Sequence, residues 1–305
     1  MARQALGIAR KIPNFCLFLA LLCSAKAAQA QLVSRPPLVV SLFNVDDIGR
    51  ALLNGQQVAA AGYNSQSSVD ITSRANAGNN SLGIVFVNNG GGWTYGYRLT
   101  AGTRTIFQGQ CGVVGRTGCG GTQTGIVLNR SFAFTYYGLP NPIPALKQVG
   151  DTCWAYTATI MLSYRDKKVY LPQEIAKKAG ATYEDLLNRH VLLPFAQAPA
   201  FFAAIGLKSE PPQSYSVAAW TQLLKTRGPL WITTAISPRA VSVHARVLTA
   251  IAGDGSPAKT YLWLIDPAIG QQYIETIADF AVKFEAIARG DLGAGENLNP
   301  QVFHF

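Results

Sequence analysis

Among the reactive side chains of this sequence, Cys153 has the most telling surroundings. It follows the turn-prone Gly150-Asp151-Thr152 and opens a run in which Ala155, Ala158, Met161 and Leu162 recur at helical spacing. The thiol is therefore expected at a helix N-terminus, where unpaired N–H groups and the positive end of the helix dipole favour a thiolate. That placement invites nucleophilic chemistry. A packed, inert helical cysteine is the competing reading, since free cysteine is among the most buried residue types.

A nucleophilic cysteine needs a base, and the base needs a polar group to orient it. The chain has three histidines. His190 ends a helical stretch and His304 stands beside the C-terminal residue, so both are expected at the surface. His244 lies inside an alternating run, residues 241–251, with Val241, Val243, Ala245 and Val247 on one face and His244 on the other. A second run, residues 260–265, ends at Asp266-Pro267. An antiparallel hairpin centred on Gly255 pairs residues whose numbers sum to 510 and sets Asp266 opposite His244 on one face. A one-residue slip would destroy that facing, and a turn Asp beside an unrelated strand His is the plain alternative.

The elements that position these groups follow from composition. Residues 1–30 read as a leader. Arg3, Arg10 and Lys11 are basic, residues 15–22 are apolar but too short to span a bilayer, and Ala28-Gln29-Ala30 is a small-x-small cleavage site. Export to the periplasm or the medium is expected, with the mature chain starting near Gln31 and carrying no transmembrane segment. Removing the leader removes Cys16 and Cys23. Of the remaining cysteines, Cys111 and Cys119 flank a flexible glycine-containing stretch and form the natural disulfide, leaving Cys153 as the free thiol. Pairing of Cys153 with either of them stays open at this point. Loss of the leader's four basic residues lowers the formal charge from +10 to +6. The basic residues are dispersed, which argues against a nucleic-acid partner.

Composition changes near the proline-rich residues 138–144. Before them, residues 31–139 contain no lysine and only Asp46, Asp47 and Asp70 as acids. Short apolar runs at 38–43, 83–87 and 124–128, and one through Trp93, Tyr95 and Tyr97, alternate with turn signals. The expected organisation is two domains: an all-β sandwich over 31–139, a linker over 140–146, and an α+β domain over 147–305. In the latter, helices are expected at 153–164, 173–178, 185–189, 196–204, 217–225 and 274–288, and strands at 230–235, 241–251 and 260–265. Trp220, Trp231 and Trp263 are expected in the core or lining a cleft. Asp46-Asp47 is a weak cation signal. No Cys/His cluster suits zinc and no glycine loop suits phosphate, so no metal or cofactor is expected.

Taken in order, Thr152-Cys153-Trp154-Ala155, His244-Ala245-Arg246-Val247, Gly253-Asp254-Gly255 and Ile265-Asp266-Pro267-Ala268-Ile269-Gly270 resemble the bacterial papain-like cysteine peptidases, as does Gly228-Pro229-Leu230-Trp231. The resemblance covers most of residues 147–289. It implies a papain-like fold, protein or peptide substrates, and roles for Cys153 as nucleophile, His244 as base and Asp266 as orienter. Some secreted relatives use Asp where plant enzymes use Asn. The family also places a glutamine upstream of the cysteine as an oxyanion donor. Gln148 is the candidate, one position closer than usual, with Lys147 in the expected place. Val45-Asp46-Asp47, Leu53-Asn54-Gly55, Val69-Asp70-Ile71-Thr72 and residues 77–82 loosely resemble galactose-binding-like β-sandwiches. That likeness allows a carbohydrate or cell-surface ligand, or a purely structural cap. Related cysteine amidases and deamidases, an inert binding or adhesion protein, and an inhibitory pro-region made of residues 31–139 are the alternative functions.

Overall fold

The computed structural model describes residues 30–237, 242–293 and 298–305. The expected leader therefore falls outside the described residues but for Ala30, and so does Val241. The N-terminal half contributes β1 (Gln31–Val33), β2 (Leu38–Phe43), β3 (Ile48–Leu53), β4 (Gln56–Ala61), β5 (Ser67–Asp70), β6 (Gly78–Asn88), β7 (Tyr95–Ala101), β8 (Arg104–Cys111) and the long β9 (Gly125–Gly138). Next come β10 (Ile143–Ala145) and the helices α1 (Cys153–Asp166), α2 (Pro172–Ala179), α3 (Ala181–Asn188) and α4 (Ala198–Ile205). The remainder holds β11 (Lys208–Ser209), α5 (Val217–Arg227), β12 (Leu230–Ala235), β13 (Val243–Gly253), β14 (Thr260–Asp266), β15 (Gln271–Thr276), α6 (Ile277–Gly293) and β16 (Val302–His304).

Alternation governs the N-terminal half. Along β2 and β6 every second residue is buried, as a strand with one face on a core requires. A four-stranded sheet in the order β5-β2-β7-β8 and the β9-β6-β3-β4 part of a second sheet share one core, with Leu38, Leu42 and Leu99 meeting Leu82, Ile84, Phe86 and Phe134. Cys111 and Cys119 form a disulfide, and Cys153 is the free cysteine among the described residues.

The second sheet does not stop at the proline-rich segment. It runs on as one ten-stranded sheet into the C-terminal half, because β13 is long enough to pair with two strands along one edge. Its first part pairs with β12 from Val243 to Leu248, and its last part, Ala250–Gly253, pairs with the end of β9, Thr135–Gly138. Ala250, Ala252 and Trp263 consequently belong to the core of the N-terminal half. Residues 140–146, expected as a linker, instead carry β10, whose Ile143, Pro144 and Ala145 are buried and whose partner is β1. Proline is tolerated there because a two-stranded pair leaves one edge without a ladder for its missing N–H.

Every helix expected in the C-terminal half is present, with shifted ends, except that residues 274–276 finish β15 and α6 starts only at Ile277. α1 is buried on most of its circumference, from Cys153 to Ser163, as a helix at the centre of its lobe must be. It packs against β13, β10 and α2. Trp154 fixes its start: the indole meets Phe201 edge-on at 5.0 Å, and its Nε1 donates to the Val191 carbonyl at 3.0 Å. Trp220, on α5, is buried in a core it shares with Phe280 and Phe284 of α6.

Candidate active site

Cys153 is the first residue of α1. Thr152 precedes it as N-cap but makes no side-chain cap bond, since its hydroxyl donates to the Val149 carbonyl. The backbone N–H groups of Cys153 and Trp154 have no hydrogen-bond partner among the described residues. They are the orphan donors that a first helical turn always leaves.

Two loops are pressed against the turn before Cys153. The backbone N–H of Asp151 donates to the His190 carbonyl, and that of Gln148 to the Pro267 carbonyl at 2.8 Å. Glycines make this closeness possible. Gly150 has φ +61° and a Cβ there would stand 2.7 Å from Cβ of His190, while Gly270 has φ +68° and would stand 2.6 Å from Cβ of Lys147. The segment carrying Asp266 is thereby docked directly onto the segment carrying Cys153.

His244 and Asp266 share a face, as alternation requires, but not the register expected. The hairpin pairs Gly253 with Thr260 and, beyond a bulge between Leu248 and Ala250, Val247 with Ile265. One further step sets Asp266 across from Arg246, with His244 on the diagonal. The bulge and the longer turn moved the register by two residues in all, so the face survived and the partner changed. His244 Nε2 and Asp266 Oδ1 are 2.6 Å apart, and Oδ1 also accepts from the Ala268 N–H at 2.8 Å. Oδ2 accepts from Arg246 Nε at 3.0 Å, and the same guanidinium donates through Nη1 to the Thr234 hydroxyl on β12. Arg246 was visible in the sequence only as the residue between Ala245 and Val247. Alternation puts it on the face of His244, and a buried arginine on that face is the signal that could have found it.

All four side chains are buried: 7% of Cys153, 7% of His244, 7% of Arg246 and 9% of Asp266 is exposed. Burial pushes the His244 imidazole down, but the hydrogen bond to Asp266 and the nearness of Cys153 outweigh it and hold the ring up at about 9. Burial pushes the Asp266 carboxyl up, but the His244 bond and charge, the Arg246 charge and the Ala268 N–H outweigh it and hold the carboxyl down at about 2. Cys153, His244 and Asp266 are thus brought together in one interacting cluster.

Gln148 lies on the same loop, half-buried. Its Nε2 donates to the Gly150 carbonyl at 2.7 Å, and its Oε1 is buried without a partner among the described residues. His190 is exposed. His304 is not at the surface: it is 4% exposed, its Nε2 lies 2.9 Å from Glu210 Oε1, and its strand β16 pairs with β11 and β12. Next to Cys153 opens a cavity of about 310 Å³, walled by Phe195, Phe202, Leu207, Trp231, Val243 and Phe303 among others. Among the described residues no group of three or more His, Cys, Asp or Glu side chains converges as a metal site would. No helix among them is long and apolar enough to cross a membrane.

No curated protein sequence and no solved structure matches this chain. Residues 139–285 do match a family model, described as papain-like cysteine protease AvrRpt2, and that stretch holds Cys153, His244, Arg246 and Asp266. The match supports a papain-like domain over residues 139–285, similar to that family of cysteine proteases.

Proposed function

We propose that the protein is an exported cysteine endopeptidase that hydrolyses peptide bonds through an acyl-enzyme formed on Cys153. The observation that carries this reading is the buried His244–Asp266 bond of 2.6 Å with the free Cys153 thiol interacting with the same imidazole. In the reactive form of the pair the thiol proton is on His244. The thiolate attacks the carbonyl carbon, and the N–H of Cys153, with no other partner, stabilises the oxyanion. The imidazolium gives its proton to the leaving amine nitrogen as the C–N bond breaks, leaving a thioester and a neutral imidazole. Water then attacks the thioester while His244 takes one of its protons. The C–S bond breaks, the acid departs, and the thiolate–imidazolium pair is restored. Gln148 would add a side-chain donor by turning its amide away from Gly150.

The same chemistry serves amidases and deamidases. The apolar cavity beside Cys153 favours a peptide bearing a bulky apolar side chain over a polar glycan strand. Export rests on the leader-like residues 1–30, and the Cys111–Cys119 disulfide supports an oxidising compartment. A galactose-binding-like role for the N-terminal half has no comparable support.

Cys153→Ala should lose both turnover of a peptide library and labelling by a thiol-directed acyl reagent. Full turnover in that variant ends the proposal, and cleavage of peptidoglycan fragments but not peptides replaces it with the amidase reading. N-terminal sequencing of the exported protein should begin at Gln31.

A further inference from the structure

We propose that Arg246 is a positioning residue that keeps the buried cluster electrically neutral at every stage of turnover while fixing the Asp266 carboxylate for His244. The inference rests on the reading of Cys153 as nucleophile and adds a fourth member to the site. Arg246 sits two residues after His244 on β13 and donates Nε to Asp266 Oδ2 at 3.0 Å. Its Nη1 donates to Thr234 on β12, so the guanidinium is held from two strands. Asp266 Oδ1 is divided between His244 and the Ala268 N–H, so the carboxylate cannot rotate without breaking a bond at either oxygen.

The charge balance gives this clamp a consequence beyond geometry. With the thiol proton on His244 the cluster holds thiolate, imidazolium, carboxylate and guanidinium, with a net charge of zero. In the tetrahedral intermediate an oxyanion replaces the thiolate, and the net charge is still zero. In the acyl-enzyme the thioester and imidazole are both neutral, and the Asp266–Arg246 pair again sums to zero. Without the guanidinium every one of these states carries one negative charge in a site shielded from water, and such a charge holds protons on its neighbours. Arg246 therefore leaves His244 free to give up its proton once Cys153 is acylated, as deacylation requires. Among the described residues, Tyr273 from β15 also faces the cluster, and its ring lies 5.9 Å from both the Arg246 guanidinium and the Lys283 ammonium. Burial pushes the Tyr273 phenol far up, so it stays neutral, and behind it Glu275 pairs with Lys283. Neither the neutral phenol nor the self-paired Glu275–Lys283 supplies the compensating charge.

Cys153→Ala reproduces the neutral sulfur position of the acyl-enzyme. The test is an NMR titration of the His244 ring in the full chain carrying Cys153→Ala, alone and combined with Arg246→Met, Arg246→Gln or Arg246→Lys. Loss of the guanidinium should raise the midpoint by about one pH unit, and Arg246→Lys should restore most of it. Arg246→Gln keeps a donor and carries the test if Arg246→Met does not fold. An unchanged or lowered midpoint in the neutral variants, or no difference between Lys and Gln, overturns the proposal. Peptide turnover with Cys153 intact is followed in parallel, and the acidic limb of kcat should move up with the midpoint. A shifted midpoint in a protein whose wild type cleaves no peptide would sink the peptidase reading and leave the charge role standing.

Discussion

Nε2 of His244 lies 2.6 Å from Oδ1 of Asp266, which leaves Nδ1 as the ring nitrogen available to the Cys153 thiol. The carboxyl is held down at about 2, so it is ionised at neutral pH and can only accept. Nε2 must then carry a hydrogen, and the tautomer of the neutral ring is fixed with Nδ1 as its base.

Asp266→Asn should break that assignment. The two carboxylate oxygens accept three donors, from His244, Ala268 and Arg246. An amide keeps one acceptor and turns the other into a donor, so its NH2 meets either the imidazole hydrogen or the guanidinium. We expect kcat/KM to fall by about 10²- to 10⁴-fold. Leaving Arg246 buried without its counter-charge should lower stability by about 3–5 kcal/mol. Peptidase assays and denaturant unfolding of the purified variant check both.

The same pair sets a pH window for stability. His244 is raised from 6.5 to about 9 in the folded chain, so its contribution is complete below about pH 6.5 and is lost as pH rises through about 9. Asp266 is lowered from 3.8 to about 2, so its contribution is complete above about pH 3.8 and is lost as pH falls through about 2. Unfolding free energy measured from pH 6 to 10 should fall more steeply in the wild type than in His244→Gln. The difference should be on the order of 1–3 kcal/mol. Parallel curves for the two proteins would refute the assignment of the raised group.

Which parts of this arrangement could be read from the sequence follows from the range of the forces involved. Cys153 at a helix start and His244 on a strand face are local matters, decided by turn residues and by a period of two, and they were legible. The pairing partner of Asp266 was not, because the turn after Gly253 and the bulge between Leu248 and Ala250 together shift the register, and a period of two announces neither. The order of the sheet was hidden for the same reason. Pro140, Pro142 and Pro144 looked like a linker, yet the strands on either side of them, β9 and β13, lie edge to edge. His304 looked exposed because it stands next to the last residue, and only the groove between β11 and β12 accounts for its burial.

The cavity beside Cys153 offers a test of substrate selection that leaves Cys153 itself untouched. Ala203 on α4 lines that cavity and is itself exposed. Ala203→Trp places an indole over the opening without displacing a core residue. KM for peptides with a bulky apolar side chain near the scissile bond should rise about 10-fold or more, the worth of roughly one lost apolar contact. The rate of Cys153 alkylation by iodoacetamide, which needs no such pocket, should be unchanged. Equal losses in both measurements would mean that the substitution disturbs α1 instead.

Continuity of the large sheet makes a prediction about folding. Trp263 belongs to β14 but is 2% exposed within the core of the N-terminal half, beside Ala250 and Ala252 of β13. Removing residues 31–139 would uncover this indole and strip the partner from Ala250–Gly253. The remaining chain should be insoluble or largely unfolded, which counts against a removable pro-region. In the full chain Trp263→Ala should cost about 3–5 kcal/mol. Its effect should appear in one transition shared by both halves, because neither half completes its core without the other. Calorimetry of the wild type and the variant checks this. Two separate transitions, with only one of them shifted by Trp263→Ala, would show that the halves fold independently despite the strand they share.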